Sequence, residues 1–216
     1  MKKPIIVLDG GHGGKDSGAV GPRGLRESDV VLNVVTLLGV EIANDFTVVY
    51  TRRDDSFVEL SRRATIANDA GANAFLSVHC NSGSPGSGDG FEVFTSPGET
   101  NSDAMATDLF GPFAAEFPEK RKRMDLSDGD VDKEAQFTVL TRTLCRAVLF
   151  ELEFIHTPAG EAWLGKAENQ LRCAKALAAG LRKHFGILPA DLIPGVDIKS
   201  AMIAKATELL SLANQL

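Results

Sequence analysis

The chain has 216 residues, 44% of them hydrophobic and 24% charged, a composition that can bury a core and fits a soluble globular protein of one domain. A formal charge of -6 argues against nucleic acid or an anionic membrane surface as partner. No apolar run approaches the ~20 residues of a membrane-crossing helix, and three cysteines (Cys80, Cys145, Cys173) without CxxC spacing make no disulfide framework.

Met1-Lys2-Lys3 opens like a signal peptide, but the apolar run Ile5 to Leu8 is too short for one and stops at Asp9. The expectation is synthesis in the cytoplasm without a signal peptide. Pro4–Leu8 reads as a buried strand entering a glycine-rich loop from Asp9 to Arg26. Asp29–Ile42 follows as a helix, with Ser28 placed to cap it and Val31, Val34, Val35 and Leu38 on one face. Phe46–Thr51 is a second strand, Val58–Ala70 a helix closed by Gly71, and Ala74–Val78 a third strand. A glycine and serine loop runs through Gly90 to a fourth strand, Phe91–Thr95, and then a helix over Asp103–Phe117. A polar stretch covers Pro118–Lys133, and its basic run Lys120–Arg123 reads as a solvated loop. Thr138–Thr141 and Ala147–Leu152 read as strands, and Glu161–Phe185 as one long helix. This alternation predicts an α/β fold, a sheet of about six strands sandwiched between helices. After Gly186 the prolines 189 and 194 break the pattern, so residues 1–187 form the domain. Residues 188–216 form a tail whose segment Ile198–Leu212 has amphipathic helical spacing, suited to packing back or to docking a protein partner.

Function in such folds gathers in loops at the carboxyl ends of strands. Glycines flank His12 in Gly10-Gly11-His12-Gly13-Gly14, removing bulk around one imidazole. A phosphate-binding loop fails here on spacing, because Asp16 follows Gly14-Lys15. A dinucleotide fingerprint fails because Asp16 stands where glycine or alanine is needed. Glu27 ends the same loop at a helix start, His79 ends the third strand, and Glu151 lies inside the apolar run Val148–Phe154. A carboxylate there must be paired, protonated or liganding, and Arg146 is the nearest candidate partner. Two histidines and a carboxylate make a catalytic zinc set, and a further glutamate completes the requirements of metal-assisted hydrolysis.

These segments resemble the zinc-dependent N-acetylmuramoyl-L-alanine amidases of the Amidase_3 type, found in bacterial autolysins, sporulation enzymes and phage endolysins. The resemblance spans about residues 4 to 186. It rests on the ordered set Ile6–Gly14 with Asp16, Gly24–Glu27, Leu60–Arg63 with Ala67-Asn68, Ser77–Asn81, Gly90–Phe94 and Val148–Glu151. It implies a mostly parallel twisted sheet, one zinc ion (Zn2+) held by His12, Glu27 and His79, and Glu151 as the catalytic glutamate. It implies cleavage of the amide between N-acetylmuramic acid and L-alanine in peptidoglycan or muropeptides. It also implies action at the cell wall, after release or delivery in the manner of a phage-type lysin or an effector. The chain departs from the family pattern at Gly10, Val31, Cys80 and Arg146, and with Glu153 and His156 where small residues are usual. Glu151 and Glu153 would share one face of a strand, so Glu153 competes for the role of base, while Cys80 would point away from His79. A zinc hydrolase of non-wall peptides or small amides shares every one of these residues. A non-catalytic wall-binding module has no need to keep Glu151.

Overall fold

The strand Ile5–Gly10 (β1) is apolar on both sides, and its alternation divides it between two layers. Ile6 and Leu8 pack into one core and Val7 into another. That division organises the molecule in the computed structural model, which describes residues 2–84 and 88–187. The elements that follow β1 are α1 (Glu27–Ile42), β2 (Thr47–Tyr50), α2 (Leu60–Asp69), β3 (Ala74–Asn81), β4 (Glu92–Thr95) and α3 (Asn101–Glu116). Then come β5 (Lys133–Glu134), α4 (Thr138–Thr141), β6 (Arg146–Phe154), α5 (Pro158–Leu164) and α6 (Ala167–His184). The strands lie in the order β2-β1-β3-β6-β4-β5, and every neighbouring pair is parallel except β4 with β6. Helices α1, α3 and α6 bury the larger core, which holds Leu38, Phe91, Phe113 and Phe150. Helices α2 and α4 close the smaller one, around Val7, Ala67, Phe75 and Leu149. Helices on both faces of a mostly parallel sheet are the predicted class.

Several local expectations are corrected. Thr138–Thr141 is one turn of helix rather than a strand: Phe137 O accepts from the N–H groups of Leu140 and Thr141, and the Thr141 hydroxyl donates to it too. β-Branched residues suggested a strand, but a local turn satisfied this backbone first. The sixth strand is instead the short β5, which begins at the last residue of the stretch read as loop. The long C-terminal helix is two helices. Thr157 caps α5 through a bond from Gly160 N–H, and the side chains of Asn169 and Gln170 take up the carbonyls of Trp163 and Leu164 where α5 ends. Ser28 is not a cap: α1 starts at Glu27, and the first N–H groups go to the loop carbonyls of Ala19 and Ser17. The basic run is anchored rather than merely solvated, since Lys120 pairs with Glu153, Arg121 with Asp89 and Arg123 with Glu92. The tail, residues 188–216, lies outside the described residues.

One buried network sits under the carboxyl ends of the strands. Asp9 is fully buried and accepts from Thr51 Oγ1 (2.5 Å), Ser77 Oγ (2.7 Å) and Arg63 Nη1 (2.7 Å). Arg63, 2% exposed, also donates to the carbonyls of Val58, Gly10 and His12. Arg52 donates to the carbonyls of Gly10, Gly11 and Ser28. Removing one partner of such a pair strands the other charge, at a cost of about 3–5 kcal/mol. Arg63→Met is expected to lower the urea midpoint accordingly, and an unchanged midpoint would show that Asp9 does not depend on it.

Candidate metal centre and active site

Three elements converge at the carboxyl end of the sheet. The loop after β1 turns sharply, with Gly13 and Asp16 exchanging backbone hydrogen bonds of 2.7 and 3.1 Å. His12 precedes that turn at φ 62, the one non-glycine residue with positive φ among the described residues, and Arg63 Nη2 holds its carbonyl at 2.7 Å. Asp16 Oδ2 takes the Nδ1 of His12 at 2.9 Å, which fixes the ring and turns Nε2 inward. Glu27, in the first turn of α1, is 3% exposed and receives the backbone N–H groups of Ala19 and Cys80, each at 2.9 Å. His79 sits near the end of β3, which runs three residues further than its apolar stretch predicts.

His12 Nε2 lies 3.2 Å and His79 Nδ1 2.9 Å from the same oxygen, Glu27 Oε1. The donor atoms of these three residues fall within 4.8 Å of one another, and they are the one such group among the described residues. Lone pairs this close repel unless a proton or cation lies between them. Burial works against a charge on His12, yet bonding to Glu27 and Asp16 outweighs it and raises the imidazole to about 9. Burial opposes the Glu27 anion too, but the two imidazoles hold its carboxyl far below the usual carboxylate range. The surrounding backbone leaves no room for a side chain at two neighbouring positions. A Cβ on Gly11 would stand 2.2 Å from the His79 ring, and one on Gly18 would meet His12 at 2.6 Å and Glu27 Oε2 at 2.7 Å. Two imidazoles and a carboxylate in that cradle fit a divalent cation of zinc's preferences, and both rings reach the cleft, with side chains 23% and 17% exposed.

Glu151 is the direct neighbour of His79 in the β3–β6 register, on the same face. Its Oε2 is buried without a hydrogen-bond partner. Burial pushes its carboxyl up to about 8; His79 opposes the rise, and Glu27 and Glu92 add to it. Arg146, the ion-pair partner the sequence offered, starts the same strand and lines a different cavity. Glu151, His79 and His12 line one cleft of about 580 Å³, which Phe57, Leu60 and Phe137 also line.

The competing residues are placed elsewhere. Glu153 accepts from Gly90 N–H (2.8 Å) and from Lys120 Nζ (2.6 Å), so it ties down two loops instead of facing the histidines. His156 accepts from Gly83 N–H at 3.2 Å and lies 3.1 Å from Ser84 O, bracing the loop after β3. Cys80 is buried in the core on the α1 side, away from His79. Sequence reasoning named Asp16 and Arg63 only as parts of the family pattern and gave neither a role, and it missed Arg52.

Comparison with known proteins gives a consistent picture. A family profile described as N-acetylmuramoyl-L-alanine amidase matches residues 6–183. The chain is 27% identical over 222 residues to N-acetylmuramoyl-L-alanine amidase AmiC of Neisseria meningitidis, covering 85% of this chain and 53% of the relative. It is 36% identical over 185 residues to the endolysin of Bacillus phage SPP1, covering 85% of this chain and 66% of that protein. It thus spans between half and two thirds of these relatives' lengths. The catalytic domain of CwlV, an N-acetylmuramoyl-L-alanine amidase from Bacillus (Paenibacillus) polymyxa, superposes with a TM-score of 0.76 at 29% identity, covering 86% of this chain and 99% of that domain.

Proposed function

From the premise that this chain belongs to the N-acetylmuramoyl-L-alanine amidase family, we propose that it hydrolyses the amide between N-acetylmuramic acid and L-alanine in peptidoglycan, with His12, Glu27 and His79 holding one zinc ion and Glu151 moving the proton. The observation that carries this reading is the orphaned Glu151 Oε2, buried beside His79 and lining the cleft. A buried carboxyl with no partner destabilises the fold, and general acid/base work gives it a use.

Zinc bound by the three residues supplies Lewis-acid polarisation of a carbonyl and acidifies water at neutral pH. Glu27 brings the negative charge that a dication needs, and Asp16 keeps His12 in the tautomer with Nε2 free. Glu151 takes the proton of the attacking water and returns it to the nitrogen of the departing alanine. Burial favours the protonated form of its carboxyl, the form that returns a proton to the leaving nitrogen. The substrate places the action at the cell wall. Among the described residues no helix is long and apolar enough to cross a membrane.

Digestion of purified peptidoglycan with and without a chelator tests this. Expected products, read by mass spectrometry, are intact stem peptides with a free alanine amine, lost on chelation and restored by zinc. Products cut within the peptide would move the chain to the peptidase alternative.

A further inference from the structure

A second charged cluster continues the row of side chains beyond Glu151. Glu92 lies directly opposite Glu151 in the antiparallel β4–β6 pair, so the two side chains share a face. Glu92 is 4% exposed, and its carboxylate gathers Arg123 (Nε to Oε2, 3.1 Å), Lys133 Nζ and Asn81 Nδ2. Two cations meet on this one carboxylate, and Asp125 also lies within electrostatic reach of Lys133.

Arg123 is the organised member of this cluster. Its backbone N–H donates to Phe91 O at 3.0 Å, its guanidinium lies 4.9 Å from the Phe154 ring centroid, and Glu92 holds its Nε. Its terminal nitrogens Nη1 and Nη2 have no hydrogen-bond partner among the described residues, and its side chain is 25% exposed. A guanidinium oriented through Nε, with its outer nitrogens unspent, is preorganised for a carboxylate. Lys133, 28% exposed, stands on the same Glu92 oxygen. Glu92, on which both cations sit, is the cross-strand neighbour of Glu151, so the cluster borders Glu151 on the β4 side.

The cleft that Glu151 lines holds none of this cluster, and it carries Phe57, Leu60 and Phe137 together with polar residues such as Glu59 and Gln136. The substrate class is asymmetric in the same sense: once the lactyl carboxyl is an amide the sugar side is neutral, and only the peptide side bears free carboxylates. We propose that Arg123, with Lys133, forms a subsite for a stem-peptide carboxylate close to the scissile bond, so that the peptide crosses β4 and the sugar lies towards Phe57 and Phe137. This rests on the amidase reading above.

The test uses paired N-acetylmuramoyl peptides that differ in one group, the second residue carrying either a free α-carboxyl or its carboxamide. The readout is the ratio of kcat/KM for acid over amide, which is blind to how much of a variant is folded. The full chain is expected to favour the acid by on the order of tenfold, the scale of a charge-assisted hydrogen bond. Arg123→Gln is expected to bring the ratio to near parity, and Arg123→Lys, which keeps the charge but not the fork, to an intermediate value. A parent enzyme that cleaves both equally, or an Arg123→Gln variant that keeps the parent ratio, overturns the subsite. Cleavage of neither peptide pair nor of peptidoglycan by the parent removes the amidase reading and the subsite with it.

Discussion

Glu151→Gln is expected to bind zinc as the parent does while kcat falls by about 10²–10⁴, the range general acid/base catalysis supplies. The substitution keeps volume and shape, so β6 and its register with His79 should persist. Glutamine cannot take a proton from water or return one to an amine. The separation of the two effects matters, because Glu151 is outside the group that gathers on Glu27. Metal content by atomic emission and turnover on muropeptides check the two halves independently. A variant that keeps near-parental turnover would strip Glu151 of its role, and Glu92, its cross-strand neighbour on β4, would be the next carboxylate to test.

The second large effect is expected from a single methyl group. Gly11→Ala places a Cβ 2.2 Å from Cε1 and 2.4 Å from Nε2 of His79, well inside contact distance. The obstacle is a side chain rather than backbone, so the ring can swing away and the fold survive. The imidazole cannot do this and also keep its place beside Glu27 Oε1, now 2.9 Å away. The expected variant has a parental circular dichroism spectrum, weakened zinc retention, and loses up to ~100-fold in activity, the upper scale for disturbing a ligand's support. Retention of stoichiometric zinc would show that His79 is dispensable to the centre.

How much of this was legible depended on whether a residue's surroundings were local. The α/β layering could be read because period-two and period-3.6 apolar patterns are printed in the chain, and β1, α1, β3 and α3 fall where those patterns do. His12, Glu27, His79 and Glu151 stood out because each breaks an apolar or glycine pattern that has no need of it. Thr138–Thr141 misled because four residues are too few to show a period, and its carbonyl acceptor, Phe137, decides the matter. The division of the last helix at Gly165 depends on Asn169 and Gln170 reaching back, which composition does not reveal. Glu151 and Glu153 were equivalent by alternation alone. Only the fold distinguishes them, by bringing Lys120 and Gly90 to one and nothing to Oε2 of the other. Arg123 belonged to a basic run that looked solvated, and its meaning came from β4 lying alongside β6.

Arg52 and Arg63 reach the centre only through carbonyl oxygens: those of Gly10, Gly11 and Ser28 for one, and of Gly10 and His12 for the other. Rigidity is thus lodged largely in two arginines at most 4% exposed that act on the centre through backbone, and reactivity in the side chains of His12, His79 and Glu151. A descendant could lose the carboxylate of Glu151 and remain a well-folded shape for gripping wall fragments, whereas damage to the arginines would forfeit shape and chemistry together.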